Sequence, residues 1–480
     1  MKLNDYIQYD GTGLAELIQN DEVSEDEVLS CALQAAELLN PEINTILEVF
    51  AEPLQGSAIK DSAFQGVPFL IKDLALHAEG VLYEMGSRLT QGLRTPHDTD
   101  LMQRFRQAGL RTIGRCSTPE FGYCPTTEPV ANGPSRNPWN LEHIPGGSSG
   151  ATASSVAAGI VPLAHANDGG GSIRIPASCC GLLGLKPTRG RVPNGPDIAE
   201  PLSGLAIEFA VTRTVRDAAR LLDAVEGAGI GDPFEIGSPA EPYSKIFEQE
   251  PGKLKIAHMT DAWSDAPVDP EVKQATVDTA KACEALGHHV IEARPEIDWD
   301  QFFAATHTLW TANIAPLVDF AASMSGRKPD ETTLEATTLA CYRYGKQVKA
   351  EELLNAQMTA NAICRTVGHF FQDYDLLLTP TVAQAPLKIG EMNANDANLD
   401  ALGWSTQVFN YCPFTPLFNT TGQPAVSLPL RQSAYGLPIG MQFVGRYGNE
   451  STLLQLARQF ELSSPWPQIA PLINRHLEGE

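Results

Sequence analysis

The sequence predicts a single α/β domain in which a large mixed β-sheet is covered by helices on both faces. Two observations lead to this fold class. Strand-like apolar segments alternate with amphipathic helical patterns along the first half of the chain, and after a mostly helical stretch at 300–370 such strands return over 370–461. No repeat, low-complexity tract or linker divides the 480 residues. Strands from both ends of the chain are therefore expected to join one sheet.

Helices are predicted where apolar residues recur with a period near 3.6. The segment 23–40 begins with Ser24 and Glu27 in capping-box spacing and then places an apolar stripe on one face. The same pattern predicts further helices at 98–110, 211–227, 269–287 and 449–461.

Short apolar or alternating runs predict the strands of the sheet. The first of them, "GVPFLIKDLAL" at 66–76, carries Lys72 in its middle. The others are 111–116, 160–168, 288–295, 374–381, 423–430 and 439–446.

The charge of the chain argues against anionic partners. It has 34 basic and 58 acidic residues and a net charge of −24, so neither nucleic acid nor an anionic membrane is an expected partner. No stretch approaches the roughly 18 apolar residues of a membrane span, and the first residues lack the apolar run of a leader. A cytoplasmic protein is expected.

Cysteine and histidine spacings give no sign of a metal site. The nine cysteines contain no C-x-x-C pair, which favours reduced, buried thiols over disulfides or zinc ligands. We interpret His165, His288 and His289 as structural residues of strands or turns. Neither a metal nor a cofactor is expected.

Two glycine-serine runs carry the candidate chemistry. "GGSSGATASSVAAG" at 146–159 holds Ser148 and Ser149, and "DGGGSIRIP" at 168–176 holds Ser172. Such runs often mark tight turns or anion-binding helix starts, so each alone would be more often structural than catalytic. Lys72 lies in an apolar strand, where a desolvated amine has a lowered pKa and can act as a base for a serine nucleophile.

Two other serine motifs are disfavoured by their context. Residues 146–150 match the G-x-S-x-G elbow of α/β-hydrolases, but a loop rich in Pro and Asn precedes them instead of the strand that this elbow requires. Residues 325–328 match S-x-x-K without the S-D-N and K-T-G motifs that accompany it in β-lactamases.

These segments resemble the amidase signature family of Ser-Ser-Lys amide hydrolases. The resemblance rests on "GVPFLIKDL", "GGSSG", "DGGGSIRIPASCCGLLGLKPTRGRVP" and "TGQPAVSLP…GLPIGMQFVG". It is strong over a signature core at 60–225 and looser over 370–461, the C-terminal part of the sheet; residues 300–370 are the expected substrate-shaping insertion. The stretches "TTEPVANGPSRNPWNL" and "AHANDGGGSIRIPAS" look closest to the 6-aminohexanoate cyclic-dimer hydrolase group.

The resemblance assigns a role to each motif residue. It implies that Ser172 is the nucleophile, that Ser148, held by a non-proline cis peptide bond, relays its proton, and that Lys72 is the base. The backbone N–H groups of Gly169, Gly170, Gly171 and Ser172 would form an oxyanion hole. Ser149, Asp168 and Arg174 would support the loops.

The sequence departs from the family pattern at two places. Ala151 stands where the last glycine of GGSSGG is usual, and "NDGGGS" replaces the frequent T-D-x-G-G-S, which brings in Asn167 and Gly169. Neither change removes a reacting atom, so activity is expected.

The substrate is expected to be a small neutral, partly apolar carboxamide, for example a cyclic or linear aminohexanoate-type amide, an anilide or a carbamate. Alternatives are the A subunit of a tRNA-dependent amidotransferase, which releases ammonia from glutamine, and a non-catalytic binding protein of the same fold. A homodimer is the expected assembly. Candidate substrate-binding residues are Tyr123, Cys124, Ile198, Trp310, Trp404, Tyr411 and Phe414.

Overall fold

The strands form two adjoining β-sheets. The computed structural model describes residues 1–56 and 62–477, so residues 60 and 61 of the predicted core and the last three residues of the chain lie outside the described part. The smaller sheet has the order β1-β3-β2, with β3 antiparallel to β1 and parallel to β2. Its strands are β1 (Ile46–Leu54), β2 (Pro68–Lys72) and β3 (Arg111–Cys116).

The larger sheet has eight strands and is mixed, as predicted. Its strands are β4 (Leu163–Asp168), β5 (Leu183–Lys186), β6 (Ile207–Thr212), β7 (Lys255–His258), β8 (His289–Glu292), β9 (Leu376–Pro380), β10 (Ala425–Gln432) and β11 (Pro438–Gly445). The order is β4-β6-β5-β10-β11-β9-β7-β8, antiparallel from β4 to β9 and parallel from β9 to β8. Strands from both halves of the chain therefore join one sheet, which confirms the predicted fold class.

Helices flank the sheet and bury their apolar faces against it. In chain order they are α1 (Leu3–Tyr6), α2 (Gly11–Gln19), α3 (Glu25–Ile43), α4 (Asp100–Gln107), α5 (Gly150–Ala157), α6 (Arg174–Cys180), α7 (Val215–Val225), α8 (Tyr243–Ile246), α9 (Pro270–Ala285), α10 (Trp299–Ser325), α11 (Ala336–Gly345), α12 (Ala350–Asp373), α13 (Ala401–Tyr411), α14 (Leu417–Thr421), α15 (Glu450–Ser463) and α16 (Asn474–Leu477). Across the part of the chain that the structure describes, no helix combines the length and apolarity of a membrane span.

Local sequence signals agree with most of these elements. Ser24 and Glu27 form the predicted capping box at the start of α3, with reciprocal side-chain to backbone hydrogen bonds. The helix predicted at 211–227 begins later, at Val215, because its first residues belong to β6. Residues 211 and 212, the first two of the predicted helix, instead form the end of the fully buried strand β6.

The adjoining edges of the two sheets place the candidate residues. β2 lies beside β4, and the backbone N–H of Lys72, the last residue of β2, donates to His165 Nδ1 on β4 at 3.3 Å. Asp168 is the last residue of β4, and the glycine-rich run follows it. Lys72 and the second serine loop therefore meet at one edge, although about 100 positions separate them in the sequence.

Helices α10, α11 and α12 form the mostly helical region predicted at 300–370, and α10 and α11 approach each other closely at Gly345. A Cβ atom added to Gly345 would overlap the carbonyl oxygen of Thr311 on α10. A Cβ at Gly368 on α12 would meet no atom within 4 Å. Gly345 is buried at the end of α11 and Gly368 is exposed inside α12, so the pair tests the close packing of α10 on α11.

We expect Gly345→Ala to destabilise the fold by roughly 1–3 kcal/mol, because a backbone oxygen cannot move aside without shifting a helix. Gly368→Ala, the matched control, should stabilise by up to about 1 kcal/mol, since alanine is the better helix former. Urea unfolding of both variants measures the difference. Equal stabilities for the two variants would contradict the close approach.

Candidate active site

The amine of Lys72 is fully buried and has three oxygen neighbours. Its Nζ atom lies 2.7 Å from Ser148 Oγ, 3.0 Å from Ser149 Oγ and 2.5 Å from Asn167 Oδ1. The strand β2 fixes the lysine backbone, while the two serines immediately precede α5 and Asn167 lies on β4. Three separate segments thus converge on one nitrogen atom.

Hydrogen-bond counting assigns each neighbour a direction. A neutral lysine amine has two N–H donors and one lone pair, and Asn167 Oδ1 can only accept. The hydroxyl of Ser149 is 3.2 Å from the Asn167 carbonyl oxygen, to which it donates, so it accepts from Lys72. Both N–H groups are then used, and the lone pair of Lys72 faces the hydroxyl of Ser148. This arrangement can take a proton from Ser148.

Burial brings the pKa of this amine close to neutral pH, so a large fraction of it is uncharged there. Desolvation lowers the pKa of Lys72 to about 7, against the opposing charges of Glu208 and Asp168. Glu208 is itself buried, and its Oε2 accepts from His165 Nε2 at 2.7 Å. His165 is therefore a structural residue, as predicted: it joins the backbone of Lys72 to the carboxylate of Glu208.

The serine pair has the backbone geometry that the family resemblance implied. The peptide bond between Gly147 and Ser148 is cis. Residues 141–149 before α5 contain no strand, so the strand-turn-helix context of a G-x-S-x-G elbow is missing.

Ser172 lies in the glycine-rich loop between β4 and α6. Its hydroxyl makes no hydrogen bond to a described residue, and neither do the backbone N–H groups of Gly169, Gly170 and Ser172. A Cβ at Gly170 would lie 2.6 Å from Trp310 Cζ2, so only glycine fits beneath that ring. The loop therefore presents one hydroxyl and several unused backbone donors.

One backbone N–H group predicted to belong to the oxyanion hole donates to a side chain instead. The N–H of Gly171 donates to Asp168 Oδ1 at 2.6 Å, and the N–H of Ile173 donates to Asp168 Oδ2 at 3.2 Å. The carboxylate of Asp168 thus fixes the backbone of the turn by accepting from two of its N–H groups. Gly171 does not offer the donor that the sequence suggested, because its N–H caps this carboxylate.

A buried ion pair holds the loop. Arg174 contacts both carboxylate oxygens of Asp168 at 2.8 Å, and its other donors go to Thr415, Asn419 and Gln442. Burial opposes ionisation of Asp168, yet Arg174 beside it lowers the pKa of the carboxyl to about 2. Asp168 and Arg174 therefore have the supporting position that the sequence predicted.

Ser148, Asn167 and Ser172 line one cavity of about 370 Å³. Its walls are mainly apolar, and among the described residues no Lys, Arg or His lines it. The main wall residues are Tyr83, Met85, Phe121, Tyr123, Cys124, Ile198, Leu202, Trp310, Ile314, Leu317, Phe320 and Val408. Such a space suits a small and largely apolar ligand.

The predicted substrate-binding residues divide into two groups. Tyr123, Cys124, Ile198 and Trp310 line the cavity.

Trp404, Tyr411 and Phe414 do not line it, so this part of the prediction is corrected. All three are buried in the core, where Trp404 Nε1 donates to the Tyr123 carbonyl oxygen at 3.1 Å. These large apolar side chains pack in the core behind the cavity wall.

Sequence reasoning missed four residues of the site. Glu208, Asn419 and Gln442 lie far from either motif in the sequence, and Asn167 was noted only as a departure from the family pattern. A polar residue within an apolar strand was the available signal for Glu208 on β6 and Gln442 on β11.

The cysteines agree with the expectation of reduced thiols. All nine are unpaired, and only Cys364 is not fully buried. Burial raises the pKa of Cys124, the thiol in the cavity wall, to about 12, so this thiol stays protonated at neutral pH.

Known proteins resemble this chain in both sequence and fold. The family model described as Amidase matches residues 27–454. The 6-aminohexanoate-cyclic-dimer hydrolases of Paenarthrobacter ureafaciens and Pseudomonas sp. (strain NK87) are each 38% identical to the chain, over 471 and 470 residues, with 95% of both sequences covered. A solved structure of 6-aminohexanoate cyclic dimer hydrolase complexed with substrate is similar with a TM-score of 0.90 and 36% identity, over 96% of this chain and 98% of that one. The chain therefore belongs to the amidase family and is a hydrolase of amide C–N bonds.

Proposed function

We propose that this protein hydrolyses a small neutral amide of the aminohexanoate type, preferably a cyclic one, through a Ser172-Ser148-Lys72 relay. One observation carries the proposal: Nζ of the fully buried Lys72 lies 2.7 Å from Ser148 Oγ at the wall of an apolar cavity that Ser172 also lines. A base, a proton carrier and a nucleophile are thus available at the same cavity.

The relay accounts for every proton of the acylation step. The Ser172 oxygen bonds to the amide carbon, its proton passes to Ser148, and the Ser148 proton passes to Lys72. When the C–N bond breaks, the relay runs backward and delivers a proton to the departing nitrogen. Water then attacks the ester on Ser172 with the same base, and the acid product leaves.

Backbone donors stabilise the oxyanion. We place the oxyanion hole on the N–H groups of Gly169, Gly170 and Ser172, which have no acceptor within the described chain, and we leave out Gly171 because Asp168 holds its N–H. Each such donor contributes about 2.7–4 kcal/mol to transition-state stabilisation.

Two groups position the base. Ser149 and Asn167 accept the two N–H bonds of neutral Lys72, so the lone pair can point only toward Ser148. Asn167 is held in turn, since its Nδ2 donates to the Leu74 carbonyl oxygen at 2.9 Å.

The cavity supports a neutral amide over glutamine. The α-carboxylate of glutamine would need a cationic partner, and no Lys, Arg or His of the described residues lines the cavity. Its acidic lining residues, Glu200 and Glu208, would repel such a carboxylate. The amidotransferase alternative is therefore disfavoured, and a non-catalytic binding protein would not need the aligned base of Lys72.

A hydrolysis panel tests the substrate class. We expect turnover of the cyclic dimer of 6-aminohexanoate and slower release from its linear dimer, an anilide and a carbamate, because the apolar walls favour the uncharged ring. Liquid chromatography with mass detection measures the products, with Ser172→Ala as the blank. Ammonia release from glutamine that requires a second subunit and charged tRNA would establish the amidotransferase instead.

Covalent labelling tests which serine attacks. An aryl sulfonyl fluoride should attach to Ser172, located by peptide mass spectrometry, because Ser172 carries the nucleophilic oxygen. Ser172→Ala should abolish labelling, whereas Ser148→Ala should label the same site at least tenfold more slowly for want of the proton carrier. The control Ser325→Ala, at the end of α10, should label normally. An adduct on Ser148 in the unaltered protein would reverse the roles assigned here.

The pH dependence of kcat/KM tests the base. Only neutral Lys72 accepts a proton, so activity should fall as the pH drops below about 7 and level off above it. Glu208→Gln removes a negative charge that favours the ammonium form, and should move the midpoint down by roughly one pH unit. The control Glu200→Gln removes an exposed, solvent-screened charge from the same cavity and should leave the midpoint in place. A midpoint unchanged in Glu208→Gln would contradict this account of the Lys72 pKa.

A further inference from the structure

Two histidines and one aspartate meet beside the cavity wall, outside the relay. His77 and His97 lie between β2 and α4, and Asp197 lies between β5 and β6. Asp197 is 3.2 Å from His77 Nε2 and 3.1 Å from His97 Nε2, and one ligand atom from each residue lies within 4.8 Å of the others. The positions of these three residues along the sequence match no metal-binding motif, which is why the sequence predicted no metal.

Backbone hydrogen bonds hold these three residues in place. The N–H of Thr99 donates to the His77 carbonyl oxygen at 3.1 Å, which ties together the stretches that carry the two histidines. The N–H of Asp100 donates to the Gly195 carbonyl oxygen at 3.0 Å, which brings the stretch with Asp197 against them. The convergence is therefore built into the backbone.

The hydrogen bond of His77 fixes which ring nitrogen is free. Its Nδ1 lies 3.1 Å from the Ala75 carbonyl oxygen, which can only accept, so Nδ1 carries the hydrogen. Nε2 then presents its lone pair, and this atom is buried without a hydrogen-bond partner.

A lone pair facing a carboxylate needs a cation between them. In the neutral ring, His77 Nε2 and Asp197 Oδ2 are both acceptors at 3.2 Å, an arrangement that repels unless a metal ion or a proton joins them. Zinc-bound histidines commonly show the same pattern, with the far ring nitrogen anchored to a backbone carbonyl.

Two of the three ligand-atom separations match tetrahedral zinc. Zn–N and Zn–O bonds of about 2.0–2.2 Å place neighbouring ligand atoms about 3.3 Å apart in a tetrahedron. Asp197 Oδ2 lies 3.2 Å from His77 Nε2 and 3.1 Å from His97 Nε2, and both distances match this edge. The three ligand atoms lie within 4.8 Å of one another, so binding of one ion draws the partly exposed His97 ring toward His77. Two imidazoles and one carboxylate are a donor set that Zn²⁺ accepts, and the half-exposed side chains of His97 and Asp197 leave room for a water as fourth ligand.

We propose that His77, His97 and Asp197 bind one Zn²⁺ ion that ties the segment between β5 and β6 to the segment between β2 and α4. Both segments continue directly into the cavity wall. Ile198 follows Asp197 and lines the cavity, and so does Tyr83, whose ring centroid is 5.3 Å from that of His77. The ion contacts no reacting group, so it acts as a structural clamp on the wall.

Metal binding to the purified full chain tests the site. After treatment with a chelator and its removal, isothermal titration with Zn²⁺ should show one equivalent bound at micromolar concentration. Co²⁺, used as a spectroscopic probe, should give the visible absorption of a tetrahedral site. Zn²⁺ should also raise the Tm by several degrees, because it binds only the folded arrangement.

Ligand variants and a matched histidine separate this site from adventitious binding. His97→Gln and Asp197→Asn change partly exposed side chains, so the fold should survive, and each should weaken Zn²⁺ binding at least tenfold and abolish the Tm shift. His369→Gln, an exposed histidine on α12, should bind like the unaltered protein. Unchanged binding in the two ligand variants, or no binding in the unaltered protein, would overturn the proposal and leave a plain histidine-aspartate ion pair.

Discussion

The burial of one amine constrains the whole site. Lys72 has no contact with solvent, so its charge is costly and each of its hydrogens needs an acceptor. The structure meets this demand with Ser149 and Asn167 and leaves the lone pair directed at Ser148. Three segments surround this single nitrogen atom. They are strand β2, which carries Lys72, strand β4, which carries Asn167, and the serine pair before α5.

The second constraint is electrostatic and lies behind the glycine-rich loop. A buried carboxylate, Asp168, takes backbone N–H groups from the loop and is neutralised by Arg174. Arg174 is held by Asn419 and Gln442, which the C-terminal part of the chain contributes. The loop that carries Ser172 is therefore fixed by residues that lie 245 and 268 positions after Arg174, on the part of the chain that supplies β10 and β11.

Chemistry and selectivity come from different parts of the fold. The candidate reacting groups lie on strands and tight loops at the adjoining edges of the two sheets, where hydrogen bonds hold Lys72 and the loop that carries Ser172. The cavity wall is completed by Trp310 and other apolar residues of the long helix α10, and by the segment between β5 and β6. Substitutions in these two segments can change the shape of the cavity without moving Lys72 or Asp168.

The sequence by itself determined the fold class and most long helices and picked out the candidate catalytic residues, because these leave local signs: a helical period, a capping box, glycine beside serine, a lysine within an apolar strand. The four-residue strands β5 and β7 were missed, and so was the nine-residue β1, although β8, also of four residues, was predicted. Only the tertiary structure decided that Trp310 lines the cavity while Trp404 packs behind it, that Asp168 occupies the N–H of Gly171, and that His77, His97 and Asp197 meet. The physical reason is that these facts depend on where side chains point after distant segments pack together, and no local pattern encodes that direction.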